Sequence, residues 1–214
     1  MIKKDNENRK KLKRGKFMPK IMPGEKIPDF QLNMAFGQET ELYELLKEKK
    51  YTVLWCLRYL GCTFCSYDIR QIAENYSAFA EHDAQVAVVL QSSMKTLEEG
   101  AGENVFPMYM ICDPEYRIYD ALDIRATETK EERMPKTPDG VAKLEEKRRK
   151  VREAGLVHGA YEGREQQLPA LFVLDQTGTA KYVHYAENSI DMPSVEEVIT
   201  VLEHLAQDTG TGDR

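Results

Sequence analysis

A buried strand followed directly by two closely spaced cysteines and an amphipathic helix constrains the fold of this chain most strongly. Residues 51–57 (YTVLWCL) are continuously apolar or β-favouring, which predicts a central strand covered by helices on both faces of a sheet. After Cys62 and Cys65 the apolar positions recur with helical period. These positions are Ile69, Ile72, Ala73, Tyr76 and Phe79. The two cysteines therefore lie where a strand gives way to a helix.

Strands and helices alternate along the rest of the chain. Two further buried strands are predicted at residues 85–90 and 108–112, with a short helix between them at 94–99. A hairpin is predicted at residues 171–185. Ser194 and Glu197 have the spacing of a capping box, which predicts the start of a last helix. This alternation indicates an α/β fold, with a mixed central sheet flanked by helices.

The segment before the first long strand contains shorter elements. Residues 29–32 alternate as a strand does, and residues 35–38 have the composition of a turn. Thr40 is predicted to cap a short helix that contains Leu42, Leu45 and Leu46.

The length of 214 residues favours one domain with additions. We expect a basic disordered tail at residues 1–21, the domain at 22–208 and a flexible end at 209–214. A charged helical insertion spans about residues 125–166, since 16 of the 27 residues from 127 to 153 are charged. Solvated decoration, a dimer contact and a lid over the active site are all compatible with this pattern.

Charge and hydropathy exclude several classes of partner. A net charge of −6 argues against a body that binds nucleic acid. No apolar run approaches the roughly 20 residues that span a bilayer, and the basic N-terminus lacks the apolar core of a secretory signal. We therefore expect a cytoplasmic protein that binds neither nucleic acid nor membrane. The tail is interpreted as a solvated arm, although contact with RNA or anionic lipid stays open.

Cys62 and Cys65 are the candidate redox pair. A cysteine at a helix N-terminus has a lowered pKa, and the thiolate is the form that attacks a disulfide or a peroxide. The three-residue spacing puts both sulfurs on one helical face, where they can form a disulfide and exchange two electrons. This function requires sulfurs that solvent can reach.

Other interpretations of these residues were weighed. A zinc site needs two more ligands at suitable spacing, which the sequence does not offer, so no metal or cofactor is expected. Cys56 and Cys112 lie in strands and are interpreted as buried small hydrophobes. Arg58 either lowers the pKa of the Cys62 thiol or forms an ordinary surface ion pair.

Several segments carry the signature of one known family. They are residues 23–30 (PGEKIPDF), 58–65 (RYLGCTFC), 106–107 (FP), 112–114 (CDP) and 169–175 (PALFVLD) with Gly178. From about residue 22 to 205 the chain resembles the peroxiredoxin-like (alkyl hydroperoxide reductase/thiol-specific antioxidant) family of the thioredoxin superfamily. The resemblance implies a thioredoxin-like fold with an N-terminal β-hairpin extension and a redox-active cysteine. It also implies electrons from a small thiol or a thioredoxin-type donor, and a homodimer is possible.

The sequence departs from the family pattern at the active-site motif. In the Pro-x-x-x-Thr-x-x-Cys loop of true peroxiredoxins, Arg58 replaces the proline, Cys62 the threonine, and Cys65 takes the peroxidatic position. Pro169 stands where the family carries an arginine. With the default trans peptide bond, Pro169 only precedes a strand. A cis peptide bond would leave neighbouring backbone groups free to pair with an extended substrate. The Arg-x-x-Gly-Cys-x-x-Cys version is similar to a subgroup with CxxC-type sites.

Three functions follow from these residues. The first is a thiol-disulfide oxidoreductase, the second a thiol-dependent peroxidase that reduces hydroperoxides, and the third a non-catalytic redox sensor or adaptor. In the first two, the catalytic residues are Cys62, Cys65 and Arg58, and the substrate-binding residues are Gly61, Thr63 and Pro169.

Overall fold

A seven-stranded mixed sheet forms the centre of the protein in a computed structural model that describes residues 20–36, 39–101 and 106–208. The strands are β1 (Gln31–Met34), β2 (Glu39–Glu41), β3 (Tyr51–Cys56), β4 (Ala84–Leu90), β5 (Tyr109–Cys112), β6 (Ala170–Asp175) and β7 (Ala180–Tyr185). Their order in the sheet is β2-β1-β5-β4-β3-β6-β7. Strands β3, β4 and β5 are parallel, and the other neighbours pair antiparallel. The predicted mixed sheet is confirmed.

Helices cover both faces of the sheet. They are α1 (Leu42–Leu45), α2 (Thr63–Glu74), α3 (Tyr76–Glu81), α4 (Met94–Ala101), α5 (Arg117–Ala121), α6 (Lys130–Arg133), α7 (Pro138–Glu153) and α8 (Val195–Asp208). The predicted capping box opens α8, because the Ser194 amide donates to the Glu197 carboxylate at 2.7 Å and the Glu197 amide donates to Ser194 Oγ at 3.2 Å.

Two apolar cores lie on opposite faces of the sheet. Every residue of β3 is buried, so its side chains fill both cores in alternation. Trp55 packs in the core that α2 and α8 cover, and Leu54 packs in the core that α1 and α5 cover. Burying such side chains contributes about 1.5–3 kcal/mol each, which fixes the strand that leads into the cysteine pair.

The N-terminal hairpin corrects one sequence prediction. β1 pairs antiparallel with β2, with Leu32 opposite Thr40, so Thr40 belongs to a strand and does not cap α1. The cap comes instead from Asp29, whose carboxylate accepts from the Tyr43 amide at 3.1 Å. Residues 37 and 38 of the predicted turn lie outside the described residues.

The described chain begins before the predicted domain boundary. Ile21 is buried, and its amide donates to the Tyr185 hydroxyl at 2.9 Å. Residues 1–19 of the predicted tail and the predicted flexible end at 209–214 lie outside the described residues. No helix in the described ranges is long and apolar enough to cross a membrane.

The charged insertion contains α6, α7 and an irregular segment, residues 156–166, which we call the strap. A bridge between Ala126 and Gln167 closes the base of the insertion. Helix α7 begins after Thr137, whose hydroxyl accepts from the Gly140 amide at 3.1 Å. Helix α7 contacts α2, and Lys147 of α7 forms a 2.8 Å ion pair with Asp68 of α2. The insertion is therefore attached to the helix that follows the cysteines.

Candidate active site

Cys62 lies at the N-terminus of α2, as predicted from the junction of strand and helix. It is the N-cap residue, with an extended backbone, and its Sγ accepts a hydrogen bond from the Cys65 amide at 3.5 Å. The first amides of a helix have no partner within the helix and favour negative charge. The fold therefore places the Cys62 sulfur where a thiolate is stabilised.

Arg58 completes this environment. Its Nη2 donates to Cys62 Sγ at 2.9 Å, and its backbone amide donates to Cys65 Sγ at 3.4 Å. The side chain is buried, with 8% of the residue exposed. The alternative of a surface ion pair is wrong. Burial opposes the charged form of Arg58, but attraction to Cys62 and Cys65 raises its pKa, so the guanidinium stays charged.

The two cysteines differ in their titration. A hydrogen bond from the Cys65 thiol lowers the pKa of Cys62 well below its usual value, outweighing burial, and the charge of Arg58 lowers it further. Burial raises the pKa of Cys65 well above its usual value, and the hydrogen bond to Cys62 and the charge on Cys62 add to this. Cys62 is thus the thiolate of the pair and Cys65 the thiol.

Neither sulfur is open to solvent in this conformation. Only 2% of Cys62 and 5% of Cys65 is exposed, so the expectation of solvent-accessible sulfurs is wrong here. The physical reason is the strap, which crosses the loop before Cys62. The Gly159 amide donates to the Gly61 carbonyl at 2.8 Å, and a Cβ on Gly61 would collide with the carbonyl oxygen of Ala160.

Two charged side chains hold the strap along its length. Glu162 accepts from the Ser92 and Thr96 hydroxyls at 2.5 and 2.7 Å. Arg164 forms an ion pair with Asp120, with an Nη2–Oδ2 distance of 2.9 Å. Of the alternatives considered for the insertion, its position fits a lid over the active site.

An aromatic cluster seals the same side of the site. The ring centroids of His158 and Tyr161, both from the strap, are 4.4 Å apart. Both rings stand 6.0 Å from the ring of Tyr59, which is fully buried and follows Arg58 in the chain. Tyr161 is 64% exposed, so the outer side of this cluster faces solvent, whereas Tyr59 lies beneath it.

The remaining predicted site residues lie around the pair. Gly61 contacts the strap, and Thr63 is the half-buried first residue of α2. Pro169 is buried, and the register that pairs Cys56 with Ala170 brings it next to Leu57, one residue from Arg58. The peptide bond before Pro169 is trans, so the cis arrangement is absent at this position.

The other two cysteines are buried structural residues, as interpreted from the sequence. Burial raises the pKa of the Cys56 thiol, and it raises that of Cys112 to about 11. All four cysteines are free thiols. Across residues 20–36, 39–101 and 106–208, no group of three or more His, Cys, Asp and Glu side chains could hold a metal ion.

Sequence reasoning missed three residues of the insertion near the site. The Glu165 carbonyl accepts from Arg58 Nη1, Glu162 holds the strap, and Arg133 is buried with 5% of the residue exposed. In the sequence each is one charge among many in a charged segment, and no spacing distinguishes it from its exposed neighbours. These residues contact partners that lie between 33 and 107 positions away in the chain, and local sequence patterns do not report such contacts.

Comparisons with known proteins bear on the fold and the family of this chain. The model of the AhpC/TSA family matches residues 23–183. A search of the curated proteins finds no match. Among solved structures, the chain is similar to peroxidoxin BcpB from Mycobacterium tuberculosis, at 14% identity and a TM-score of 0.62, over 86% of this chain and 98% of that one.

Two other peroxiredoxins have similar folds. The reduced 2-Cys peroxiredoxin of Plasmodium vivax is 16% identical with a TM-score of 0.62, over 93% of this chain and 86% of that one. The yeast mitochondrial 1-Cys peroxiredoxin is 13% identical with a TM-score of 0.63, over 90% of this chain and 79% of that one. These likenesses show the shared fold, and the family model covers most of the chain. The protein belongs to the AhpC/TSA family and is a thiol-dependent oxidoreductase.

Proposed function

We propose that the protein is a thiol-disulfide oxidoreductase in which Cys62 is the nucleophile and Cys65 the resolving cysteine. The Cys62 thiolate attacks one sulfur of a substrate disulfide and expels the other as a thiolate, which takes up a proton. Cys65 then loses its proton and attacks the Cys62 sulfur of the mixed disulfide. The substrate leaves fully reduced, and the enzyme is left with a Cys62–Cys65 disulfide.

The observation that carries this proposal is the 2.9 Å hydrogen bond from Arg58 Nη2 to Cys62 Sγ at the N-terminus of α2. Cys62 sits at the helix N-terminus against Arg58, whereas Cys65 is a buried thiol bonded to Cys62. In the peroxiredoxin register Cys65 is the peroxidatic residue, yet its environment favours the neutral thiol, which is the unreactive form. The environment therefore supports disulfide exchange by Cys62.

Access to the dithiol requires the strap to move. The strap is held by polar contacts to Gly61, Ser92, Thr96 and Asp120 rather than by a large apolar face. Such contacts exchange readily with water, so local opening costs much less than global unfolding. We infer that the site works by transient opening of the strap.

Trapping a mixed disulfide tests the proposal. The Cys65→Ser variant retains the nucleophile and lacks the resolving thiol, so it accumulates a covalent complex with a disulfide substrate such as insulin. The Cys62→Ser variant is the matched control and forms none. Full insulin reduction by Cys62→Ser, with no trapping by Cys65→Ser, would remove the proposal.

A thiol peroxidase is the second candidate, favoured by membership of the AhpC/TSA family. In this reaction a thiolate attacks the terminal oxygen of a hydroperoxide, forms a sulfenic acid and releases an alcohol or water. The second cysteine then condenses with the sulfenic acid, releases water and closes the disulfide. Stopped-flow mixing of the reduced protein with peroxide decides this candidate: oxidation no faster than that of an ordinary thiol excludes it.

The electron donor and setting follow from the same chemistry. A thioredoxin-type protein or a small thiol would reduce the Cys62–Cys65 disulfide, and the dithiol form suits the reducing cytoplasm. We also propose that the protein belongs to the CxxC subgroup of the family and that it forms a homodimer. Recovery of the dithiol with thioredoxin or glutathione, followed by thiol counting, identifies the donor. If neither thioredoxin nor glutathione reduces the Cys62–Cys65 disulfide and no substrate is found, the result fits the hypothesis of a redox sensor.

A further inference from the structure

Arg133 is a buried arginine whose guanidinium has few partners. It is the last residue of α6, and only 5% of it is exposed. Its Nε donates to Gln166 Oε1 at 2.8 Å. Among the described residues, neither Nη group has an acceptor and no carboxylate lies within ion-pair distance of Arg133. A guanidinium is a permanent cation with several N–H donors, so most donors of this buried cation have no partner in the protein.

The side chain of Arg133 faces the strap. Its two chain neighbours, Glu132 and Met134, line the open cleft between α7 and α8, and Arg133 does not. Arg133 instead contacts Gln166 of the strap. Its guanidinium therefore lies on the covered side of the insertion.

The strap also brings Arg133 close to the redox site. Gln166 binds Arg133, and the preceding strap residue, Glu165, accepts from Arg58 Nη1 through its carbonyl. The other terminal nitrogen of Arg58 donates to Cys62 Sγ at 2.9 Å. Two consecutive residues of the strap thus hold the two buried arginines, and consecutive Cα atoms are only about 3.8 Å apart.

The described chain offers Arg133 no counter-charge. The Cys62 thiolate is matched by Arg58. The carboxylate of Glu162 is occupied by two hydroxyl donors, and that of Asp68 is paired with a lysine of α7. Because a buried charge without a counter-charge is costly, the environment of Arg133 suits an anion that comes from outside the chain.

A second unsatisfied polar atom lies on the segment that contacts Arg133. The Ser189 amide donates to the Arg133 carbonyl at 2.9 Å. The Ser189 hydroxyl oxygen is buried and has no hydrogen-bond partner. Buried polar groups without a partner are rare in folded proteins, so both residues point to a polar ligand.

We propose that Arg133 binds a carboxylate of the substrate, and that the protein acts on small disulfides that carry a carboxylate a few bonds from sulfur. A carboxylate is planar and accepts two parallel hydrogen bonds from a guanidinium. The substrate enters when the strap opens, and closure of the strap favours a small molecule. This proposal rests on disulfide exchange by Cys62 and names the class of substrate.

The chemical step is the one proposed above for any disulfide. The Cys62 thiolate displaces one half of the substrate as a thiolate, and Cys65 then displaces the other half from Cys62. One substrate disulfide is reduced to two thiols, and the protein dithiol is oxidised to the Cys62–Cys65 disulfide. Arg133 holds the carboxylate of the half that is joined to Cys62.

A comparison of a charged and a neutral small disulfide tests the proposal. The reduced full chain is mixed with dithiodipropionate, which has a carboxylate on each half, or with hydroxyethyl disulfide, which has none. The readout is the ratio of the two rates of protein oxidation. A change in the reactivity of Cys62 or in the opening of the strap affects both rates alike and leaves this ratio unchanged. We expect the wild-type ratio to exceed that of dithiothreitol, a dithiol without a binding site.

Arg133→Gln lowers the ratio about tenfold or more, which is the effect of losing a hydrogen bond to a charged group. Arg148→Gln is the matched control, because it removes an exposed arginine of α7 that pairs with Glu145, and it leaves the ratio unchanged. A wild-type ratio no higher than that of dithiothreitol, or the same ratio in wild type and Arg133→Gln, overturns the proposal.

Binding of suberate separates the site from the reaction. Suberate has the length of dithiodipropionate, with methylene groups in place of the sulfurs, so it binds and is not reduced. Isothermal titration calorimetry on the reduced protein is expected to show binding to the wild type that Arg133→Gln weakens about tenfold or more. No binding to the wild type, or equal affinity in both proteins, counts decisively against the site.

A second variant covers the case in which Arg133→Gln does not fold, as judged by circular dichroism. Gln166→Leu removes the acceptor that orients Arg133 Nε. We expect it to reduce the rate ratio and the affinity for suberate, by less than Arg133→Gln would. An unchanged ratio and an unchanged affinity in Gln166→Leu overturn the proposal.

The carboxylate site and disulfide exchange fail in distinguishable ways. Oxidation by both disulfides, with equal ratios in wild type and Arg133→Gln, removes the site and leaves exchange intact. Suberate binding that depends on Arg133, without oxidation by either disulfide, leaves the site and removes exchange.

Discussion

Removing the carboxylate of Glu162 releases the strap and makes the dithiol accessible. Glu162 accepts two short hydrogen bonds, from Ser92 at 2.5 Å and Thr96 at 2.7 Å, and a longer one from the Ser93 amide at 3.4 Å. At about 1 kcal/mol for each of the two short bonds in a half-exposed setting, Glu162→Ala loses about 2 kcal/mol of closure energy. That loss corresponds to an open population about 30-fold larger.

The assay is the rate at which a bulky maleimide labels Cys62 in the reduced protein at fixed pH. When opening and closing are fast relative to labelling, this rate is proportional to the open population. Glu162→Ala therefore labels about 30-fold faster than the wild type. Glu153→Ala removes an exposed carboxylate of α7 that pairs with Arg149 and leaves the rate unchanged. A rate for Glu162→Ala within twofold of the wild type, with unchanged circular dichroism, would refute the strap as the barrier.

Three further predictions concern the site itself. The pKa of Cys62 in the folded protein lies below the value of about 8.5 for an unfolded thiol. The Cys62 thiolate therefore contributes fully to the free energy of unfolding above about pH 8.5, and this contribution is lost as the pH falls through the folded pKa. Urea titrations of wild type and Cys62→Ser between pH 5 and 9 measure the difference, and the same pH dependence in both proteins contradicts the prediction. Arg58→Met removes a charged hydrogen bond to Cys62 and raises the pKa of the Cys62 thiol by roughly one unit or more. The pH midpoint of Cys62 alkylation measures this rise, and an unmoved midpoint counts against the role of Arg58. Gly61→Ala forces a methyl group against Ala160, which costs about 1–3 kcal/mol and accelerates maleimide labelling, whereas unchanged labelling would mean that the strap does not press on Gly61.

Local sequence patterns predict the scaffold that positions the cysteines. The apolar runs at β3 and β4 correspond to strands whose residues are all buried, because a strand covered on both faces needs apolar side chains at every position. The capping box at Ser194 and the helix start at Cys62 depend on contacts within three residues. Such features are encoded where they occur in the chain.

Features that depend on distant contacts escape this reasoning. Thr40 looks like a helix cap, but pairing with Leu32 draws it into β2. Arg133 and Glu162 look like surface charges, and only the folding of the insertion gives them partners. For the same reason the burial of Cys62 is absent from the sequence pattern around it, since the residues that cover it lie about 100 positions later.

The most direct test of the account is to find which sulfur of the reduced wild-type protein reacts first. Limited alkylation with iodoacetamide at pH 6.5, followed by peptide mass spectrometry, measures the label on Cys62 and on Cys65 in one sample. The account predicts that the label appears on Cys62, because its sulfur is the thiolate beside Arg58. Label that appears first on Cys65, as the peroxiredoxin register requires, would contradict it.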